Sequence, residues 1–302
     1  MAKRKRSIVG KMKSQLKNLF SKQFSFFMAM PAVAWHILFF YIPVALIIVI
    51  SFIKRIEPNT YTFTFEHYQH FFNILFMNVI ARSLILAFVT ALLCLLFAYP
   101  VAYCLALKIK RYKNIFLFFL ILPFWTSLMV QVYSWFFILE HNGLLNTIFF
   151  KLGFIHQPIH MLNTMFAIYL VMVYCYLPFM IMPLYTALDK IERNMFEAAA
   201  DLGASQWQTF VKVTIPLSMP GIKTGFFLVF VPSFGEFVVP MLLGGGKQLF
   251  VGSLITQYFL SARNPHAGSA FTMLSGVVLL LSVGLLYWYF SIKSLPRNTR
   301  RL

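Results

Sequence analysis

The sequence predicts an all-α integral membrane protein with six transmembrane helices and both termini in the cytoplasm. Three observations predict this fold class. Hydrophobic residues make up 60% of the 302 residues and charged residues only 11%, whereas soluble domains average about 25% charged. Six apolar runs are long enough to cross the hydrocarbon core, which takes about 20 helical residues. Lys and Arg fall mainly in alternate connections, as the positive-inside rule requires.

The predicted transmembrane domain extends over residues 26–292 and contains the six apolar runs. In chain order, the predicted spans are 26–53, 79–107, 115–139, 164–188, 219–243 and 267–290. Proline interrupts several of them, which a membrane helix tolerates because neighbouring groups satisfy the freed carbonyls. The two halves show no internal repeat, so the sequence gives no support to an inverted-repeat secondary transporter.

The charges outside the spans predict the orientation. A basic segment at 1–25 precedes the first span, and a second one at 293–302 follows the last. Twenty of the 26 Lys and Arg residues fall on the side that holds both termini. The six on the other side are Lys54, Arg55, Arg82, Lys151, Lys247 and Arg263. An excess of Lys and Arg marks the cytoplasmic side, so both termini are expected there, with their basic residues against anionic lipid.

Several other functional classes are not supported by the sequence. The net charge of +18 does not indicate a nucleic-acid partner, because the charges lie between apolar spans rather than on one basic face. The run Gly244-Gly245-Gly246-Lys247 looks like a phosphate-binding loop, but Gln follows where Ser or Thr is required. No catalytic triad, paired carboxylates or metal-ligand spacing appears. We therefore expect this chain to be no enzyme and to hold no cofactor or metal.

The cytoplasmic connection at 189–218 begins with a predicted short helix. Asn194 with Glu197 three residues later resembles a capping box. The residues from Glu197 to Leu202 have high helix propensity apart from one Asp. Gly203 fits the left-handed backbone conformation that ends a helix.

A second short helix is predicted after this glycine. Ser205 and Gln208 form a second capping-box pattern, and we expect the helix to end at Pro216. On these residues alone, the segment could be a surface for another protein or an amphipathic helix on the membrane. The alanines at 198–200 would allow close approach by a partner, and Glu197 could hydrogen-bond to it.

This connection resembles the EAA loop of ATP-binding-cassette importer permeases. The family pattern is E-A-A, three residues, G, nine residues and I-x-L-P, and the chain matches it except that Val213 and Ile215 replace the usual Ile and Leu. The resemblance implies type I importer permease architecture, with this loop as the helix that couples the permease to an ATPase. The coupling residues that it implies are Glu197, Ala198, Ala199, Asp201, Gly203 and Pro216.

Further motifs resemble the first permease of spermidine/putrescine importers, over about Pro43 to Ala270. They are Leu122-Pro123-Phe124-Trp125-Thr126-Ser127, Asn142-Gly143-Leu144-Leu145-Asn146, Leu177-Pro178-Phe179-Met180 and Gly235-Glu236-Phe237-Val238. Two departures bear on the cargo. Gln131 stands where relatives often carry Arg, and residues 263–266 read Arg-Asn-Pro-His where relatives often have Arg-Asp-Trp-Pro.

The resemblance also implies partners. It implies a second homologous permease, two ATPase subunits that hold ATP and Mg²⁺, and a periplasmic or extracellular substrate-binding protein. It places the protein in the bacterial inner membrane.

Five residues are candidates for the substrate path. Glu236 is the acidic residue that lies well inside an apolar span, where insertion of a charge costs about 2.5–3.5 kcal/mol. Its partner could be a cationic polyamine, a Lys or Arg, or a neighbouring helix. Trp125, Tyr133 and Trp135, with Gln131 among them, could attract ammonium groups by cation–π contact or mark the membrane interface.

We therefore expect a permease subunit that forms the translocation path for polyamines. One alternative is the same machinery with another small solute, such as an amino-acid derivative, ferric iron or a phosphonate. A second is a proton-coupled secondary transporter, which would need no ATPase. A membrane enzyme is disfavoured, because the sequence shows no catalytic cluster.

Overall fold

The computed structural model describes Met28 and residues 30–57, 60–109, 111–246 and 248–294. The predicted basic segment 1–25 lies outside the described residues, as do 295–302 of the second basic segment. Lys110 and Lys247 also lie outside them.

The described residues are mainly helical. Their helices are α1 (Met30–Ser51), α2 (Glu66–Phe71), α3 (Ile74–Lys108), α4 (Lys113–Trp125), α5 (Leu128–Leu139), α6 (Leu144–Lys151), α7 (Met165–Asp189), α8 (Arg193–Asp201), α9 (Gln206–Phe234), α10 (Val238–Leu243), α11 (Val251–Thr256) and α12 (Pro265–Ser294). Five of the described helices, α1, α3, α7, α9 and α12, are long and apolar enough to cross a membrane. A sixth span results if α4 and the segment Leu128–Lys151 count as one, although 94° separates their directions.

The chain forms two compact units. The first holds the described residues up to His67 together with Pro265–Met273, and the second holds Tyr68–Asn264 together with the described residues from Leu274. In the first unit, β1 (Ile53–Glu57) and β2 (Thr60–Phe63) form an antiparallel pair.

This strand pair is a local exception in an otherwise helical fold. Ile53 lies opposite Phe63, and the ring of Phe63 stacks on that of Phe52 with centroids 5.4 Å apart. β-Branched and aromatic residues favour the extended conformation. The run from Tyr61 to Phe63 therefore forms a strand. The apolar stretch in this connection is too short to span the membrane.

In the second unit, α3, α7 and α9 pack against one another through small residues. A Cβ on Gly221 of α9 would lie 2.6 Å from both the Cβ of Ala187 and the carbonyl oxygen of Pro183 on α7. A Cβ on Gly225 would lie 2.7 Å from the sulfur of Met180. Glycines allow this close approach, and dispersion contacts between closely packed backbones drive helix association in a membrane.

Two predicted spans are not continuous helices. The span predicted at 115–139 bends after Trp125, where Pro123 stands in a 3₁₀ turn that ends α4. The span predicted at 219–243 ends at Phe234, and a short helix, α10, follows after a non-helical break at 235–237. Apolar composition alone does not reveal either interruption.

Pro216 does not end a helix, contrary to the prediction. The backbone of 210–214 forms a wide π-helical turn, in which the Ile215 N–H donates to the Phe210 carbonyl. Pro216 follows directly and begins the regular α-helical part of α9. Because the wide turn changes the position of the preceding carbonyls, it relieves the clash that a proline ring causes inside an α-helix.

Candidate functional site

The first helix of the connection at 189–218 is α8. Its N-cap lies two residues earlier than predicted, because Glu192 rather than Asn194 takes the extended N-cap conformation (φ −67°, ψ 141°). The predicted capping box of Asn194 with Glu197 is therefore wrong, and the cap has no side-chain hydrogen bond. Asn194 lies within the helix instead.

The turn after α8 follows the sequence prediction. Gly203 has φ +76°, and its N–H donates to the Ala200 carbonyl at 2.8 Å. No atom would lie within 4 Å of a Cβ at this position, so glycine is required here by conformation rather than by space. The predicted capping box of Ser205 with Gln208 is confirmed, with both hydrogen bonds present.

The α8 connection presents an exposed surface that mixes acidic and large apolar residues. We call it the coupling surface and define it by Glu197, Ala198, Asp201, Leu202 and Trp207. Leu202 is 88% exposed, and Trp207, at the start of α9, is 71% exposed. Neither acidic residue forms an ion pair within the described chain.

Three coupling-loop candidates are not part of this surface: Gly203, which forms the turn after α8, Ala199 and Pro216. Ala199 is buried, so it holds α8 against the rest of the second unit. Pro216 lies at the start of the regular part of α9 and is exposed. Sequence reasoning missed Leu202 and Trp207 as site residues.

Glu236 lies in the non-helical break between α9 and α10, and its side chain is buried. Both carboxylate oxygens accept hydrogen bonds. The Val238 N–H donates to Oε1 at 2.9 Å, and the Tyr176 hydroxyl on α7 donates to Oε2 at 2.8 Å. Tyr176 is a residue that sequence reasoning missed, although it directly precedes the Leu177-Pro178-Phe179 motif.

The break is also held from a second direction. A Cβ on Gly252 of α11 would lie 2.2 Å from the Gly235 carbonyl oxygen and 3.0 Å from that of Glu236. The preceding residue, Val251, donates its N–H to the hydroxyl of Ser83 on α3 at 2.8 Å. The backbone of the break is therefore fixed between α7 and α11.

Among the described residues, no Lys, Arg or His forms an ion pair with Glu236. The ion pairs that the described residues form are Lys54 with Glu66 and Lys113 with Asp189. The neighbours of this carboxylate are thus neutral donors. Of the partners weighed from the sequence, the structure shows a neighbouring helix, through the Tyr176 hydroxyl.

The other four substrate-path candidates lie on α4 and α5, and they do not form one cluster. Gln131 donates from Nε2 to the Pro123 carbonyl at 2.6 Å and to the Thr126 hydroxyl at 2.8 Å, so it supports the bend between the two helices. Trp125 is 74% exposed beside this bend, and Tyr133 is exposed on α5. Trp135 packs edge-on against Tyr174 of α7, with ring centroids 5.3 Å apart.

Asn146 organises the connection at 140–163. Its amide nitrogen donates to the carbonyls of His141 at 3.0 Å and Ile159 at 2.9 Å. Its amide oxygen accepts the Ile159 N–H at 3.0 Å. The side chain is buried, so these bonds satisfy the amide group of Asn146 itself.

Two ionisable residues of α2 lie outside the spans. A hydrogen bond from Lys54 lowers the pKa of Glu66, and the positive charge of Lys54 adds to the effect. Burial lowers the pKa of His67, whose Nε2 has no hydrogen-bond partner in the described chain. The ring of His266 lies parallel to that of His67 at 6.4 Å.

Comparison with known proteins shows that this chain is similar to components of transport systems. The family described as "Binding-protein-dependent transport system inner membrane component" matches residues 98–293. The spermidine/putrescine transport system permease protein PotB of Haemophilus influenzae is 40% identical over 88% of this chain and 93% of its own length. The protein of the same name from Escherichia coli K12 is 38% identical over 86% and 95%.

A solved structure shows the same fold. It is the bacterial alginate ABC transporter in complex with an alginate pentasaccharide-bound periplasmic protein. The TM-score is 0.70 at 17% identity, with 89% of this chain and 94% of the other covered. The resemblance to importer permeases that the sequence motifs indicate is confirmed by these matches.

Proposed function

The chain belongs to the family of binding-protein-dependent transport system inner membrane components, and we propose that it is the permease subunit of an ATP-driven importer of spermidine and putrescine. The observation that carries this proposal is the similarity to PotB permeases at 38–40% identity over most of both chains. A buried, uncompensated carboxylate, Glu236, supports a cationic cargo. An importer of an anionic solute, such as a phosphonate, would not require such a group.

The proposed topology has six spans, with α4 and Leu128–Lys151 forming one bent span. Under this topology, α8 lies after four crossings, so it shares a side with the N-terminus. The C-terminus follows two more crossings and returns to that side. A docking site for an ATPase must face the cytoplasm, so both termini are cytoplasmic, in agreement with the Lys and Arg distribution.

The coupling surface is the proposed docking site for an ATPase subunit, which holds ATP and Mg²⁺. Leu202 and Trp207 offer apolar area that a groove would remove from water, and Glu197 and Asp201 offer acceptors for charge-assisted hydrogen bonds. The left-handed backbone conformation of Gly203 fixes the angle between α8 and α9. A movement of α8 is therefore passed on to α9, which ends at Phe234, two residues before Glu236.

On its own the chain forms half of the proposed path. A second homologous permease completes it, two ATPase subunits act on the pair, and a periplasmic substrate-binding protein delivers the cargo. The solved alginate transporter, which was determined with its periplasmic protein, supports the last of these partners. The inner membrane of a bacterium is the proposed location.

The test is uptake of radiolabelled spermidine by proteoliposomes that contain the complete transporter and the binding protein. Wild type should import spermidine only with ATP inside. Glu197→Lys should abolish uptake and release the ATPase subunit on purification. Glu140→Lys serves as the control, because Glu140 is exposed at the end of α5, away from the coupling surface.

Two results would contradict the proposal. Uptake that follows a proton gradient and needs no ATP would favour a secondary transporter. Import of an amino-acid derivative, a phosphonate or ferric iron, with none of spermidine or putrescine, would keep the architecture but replace the cargo.

A further inference from the structure

Three aromatic rings lead from the surface of the second unit to Glu236. Phe124, in the turn that ends α4, packs edge-on against Phe179 of α7 with centroids 4.8 Å apart. Phe179 lies 6.1 Å from Tyr176, which is one helical turn earlier on α7. Tyr176 then donates its hydroxyl hydrogen to Glu236. We call Phe124, Phe179 and Tyr176 the aromatic row.

The residues of this series become more buried toward the carboxylate. Phe124 is 43% exposed and Phe179 39% exposed, whereas Tyr176 is 9% and Glu236 8% exposed. A solute that reaches the open end therefore meets aromatic rings first and a negative charge last. The order suits a ligand that has both a hydrocarbon chain and a cationic end.

We propose that the aromatic row and Glu236 form a binding track for a primary ammonium group, in which Tyr176 is a positioning residue. This inference rests on the proposed function, because the polyamine supplies the ammonium group. The ring faces attract a cation as it loses water, and the carboxylate supplies the opposite charge at the buried end. The methylene chain of the same ligand lies on Phe124 and Phe179.

The hydrogen bonds of Glu236 explain how Tyr176 acts. A carboxylate offers about four acceptor positions, and two are used here, by Val238 and Tyr176. An ammonium group brings a full positive charge and three donors, one more than the two free positions, so it also competes with the neutral Tyr176 hydroxyl for Oε2. The Tyr176 bond holds the carboxylate in one orientation before the cation arrives, and it returns as the cation leaves. No covalent bond changes, and the tyrosine keeps its proton.

The sharpest test is Tyr176→Phe, which keeps the ring and removes only the competing donor. In the complete transporter, this variant should lower the KM for spermidine at least threefold, because the cation no longer displaces a hydrogen bond. The variant should also lower kcat, because release of the ammonium group from Glu236 becomes slower. A merely structural defect would lower kcat without tightening KM. Tyr169→Phe makes the same change elsewhere on α7 and should leave KM unchanged.

Two further variants test the rest of the track. Phe179→Leu keeps an apolar side chain at a partly exposed position but removes the ring face, so KM for spermidine should rise severalfold. Glu236→Gln should raise KM at least tenfold, because the opposite charge is lost. Basal ATP hydrolysis and gel-filtration behaviour of each purified complex report whether it folds and assembles. If Glu236→Gln does not assemble, Tyr176→Phe and Phe179→Leu still decide the question.

The outcomes separate this inference from the proposed function. If wild type imports spermidine while Tyr176→Phe leaves KM within twofold of wild type, or raises it, the track is wrong and the polyamine importer stands. Unchanged KM in Phe179→Leu likewise overturns the track. If wild type imports no polyamine, both proposals fail together.

Discussion

A Cβ atom on Gly252 would lie 2.2 Å from the carbonyl oxygen of Gly235, which is closer than any real carbon contact. The lack of a side chain at Gly252 thus brings α11 into direct contact with the backbone of the break beside Glu236. Neither side can yield easily, because the Gly235 oxygen belongs to the main chain. This contact fixes the position from which the carboxylate reaches Tyr176.

Gly252→Ala should therefore displace the break. Overpacking of this kind costs about 1–3 kcal/mol, so we expect a lower Tm of the purified complex and severely reduced spermidine uptake. Gly276→Ala is the matched control, because nothing lies within 4 Å of its Cβ position in α12. Wild-type Tm and uptake in Gly252→Ala would show that α11 can move away at no cost.

Substitution of Gly203 tests the role of the turn between α8 and α9. A left-handed conformation costs an L-residue about 1–2 kcal/mol, and Gly203 has φ +76° with open space around it. Gly203→Val should weaken ATPase binding and transport. Gly203→Asn should retain most of both, because Asn adopts this conformation more readily. Equal loss in the two variants would indicate a requirement for space rather than for backbone conformation.

Asn146→Ala should loosen the connection at 140–163. The change removes the hydrogen bonds to the Ile159 N–H and to the carbonyls of Glu140, His141 and Ile159, and each hydrogen bond contributes about 0.5–1.5 kcal/mol. Hydrogen exchange of this segment, followed by mass spectrometry, should become faster while that of α7 stays slow. Asn142→Ala, at an exposed position in the same motif, should exchange like wild type.

The stability of the first unit should depend on pH through His67. Burial lowers the folded-state pKa of this side chain below its unfolded value of about 6.5, so the unfolded chain binds the proton more readily. The stabilising contribution is present above pH 6.5 and is lost as the pH falls through the folded-state pKa. The neighbouring charges are Glu66, which opposes the shift, and His266 and Lys54, which add to it.

The measurement is thermal unfolding of the complex between pH 7.5 and 5. His67→Gln should flatten the decrease in Tm on the acidic side, whereas His70→Gln, at an exposed position of the same helix, should keep it. An identical acidic decrease in wild type and His67→Gln would assign the pH dependence to other groups.

The membrane class, the approximate places of the apolar helices and the coupling connection could be predicted from the sequence. These features depend on local information: the length of an apolar run, the side on which Lys and Arg accumulate, and turn residues such as Gly203 and Ser205. The conformation of Gly203 follows from its own position after a helix-forming run. It needs no contact with a distant part of the chain.

The site at Glu236 was decided by tertiary structure. The break at 235–237 lies inside a continuous apolar run, and it is held by Gly252 of α11 and by Tyr176 of α7, both distant in sequence. Likewise, the bend at Trp125 is supported by a Gln131 side chain that the sequence suggested for the path. Composition and periodicity describe one segment at a time. Which side chains meet a buried carboxylate depends on how helices from separate parts of the chain pack together.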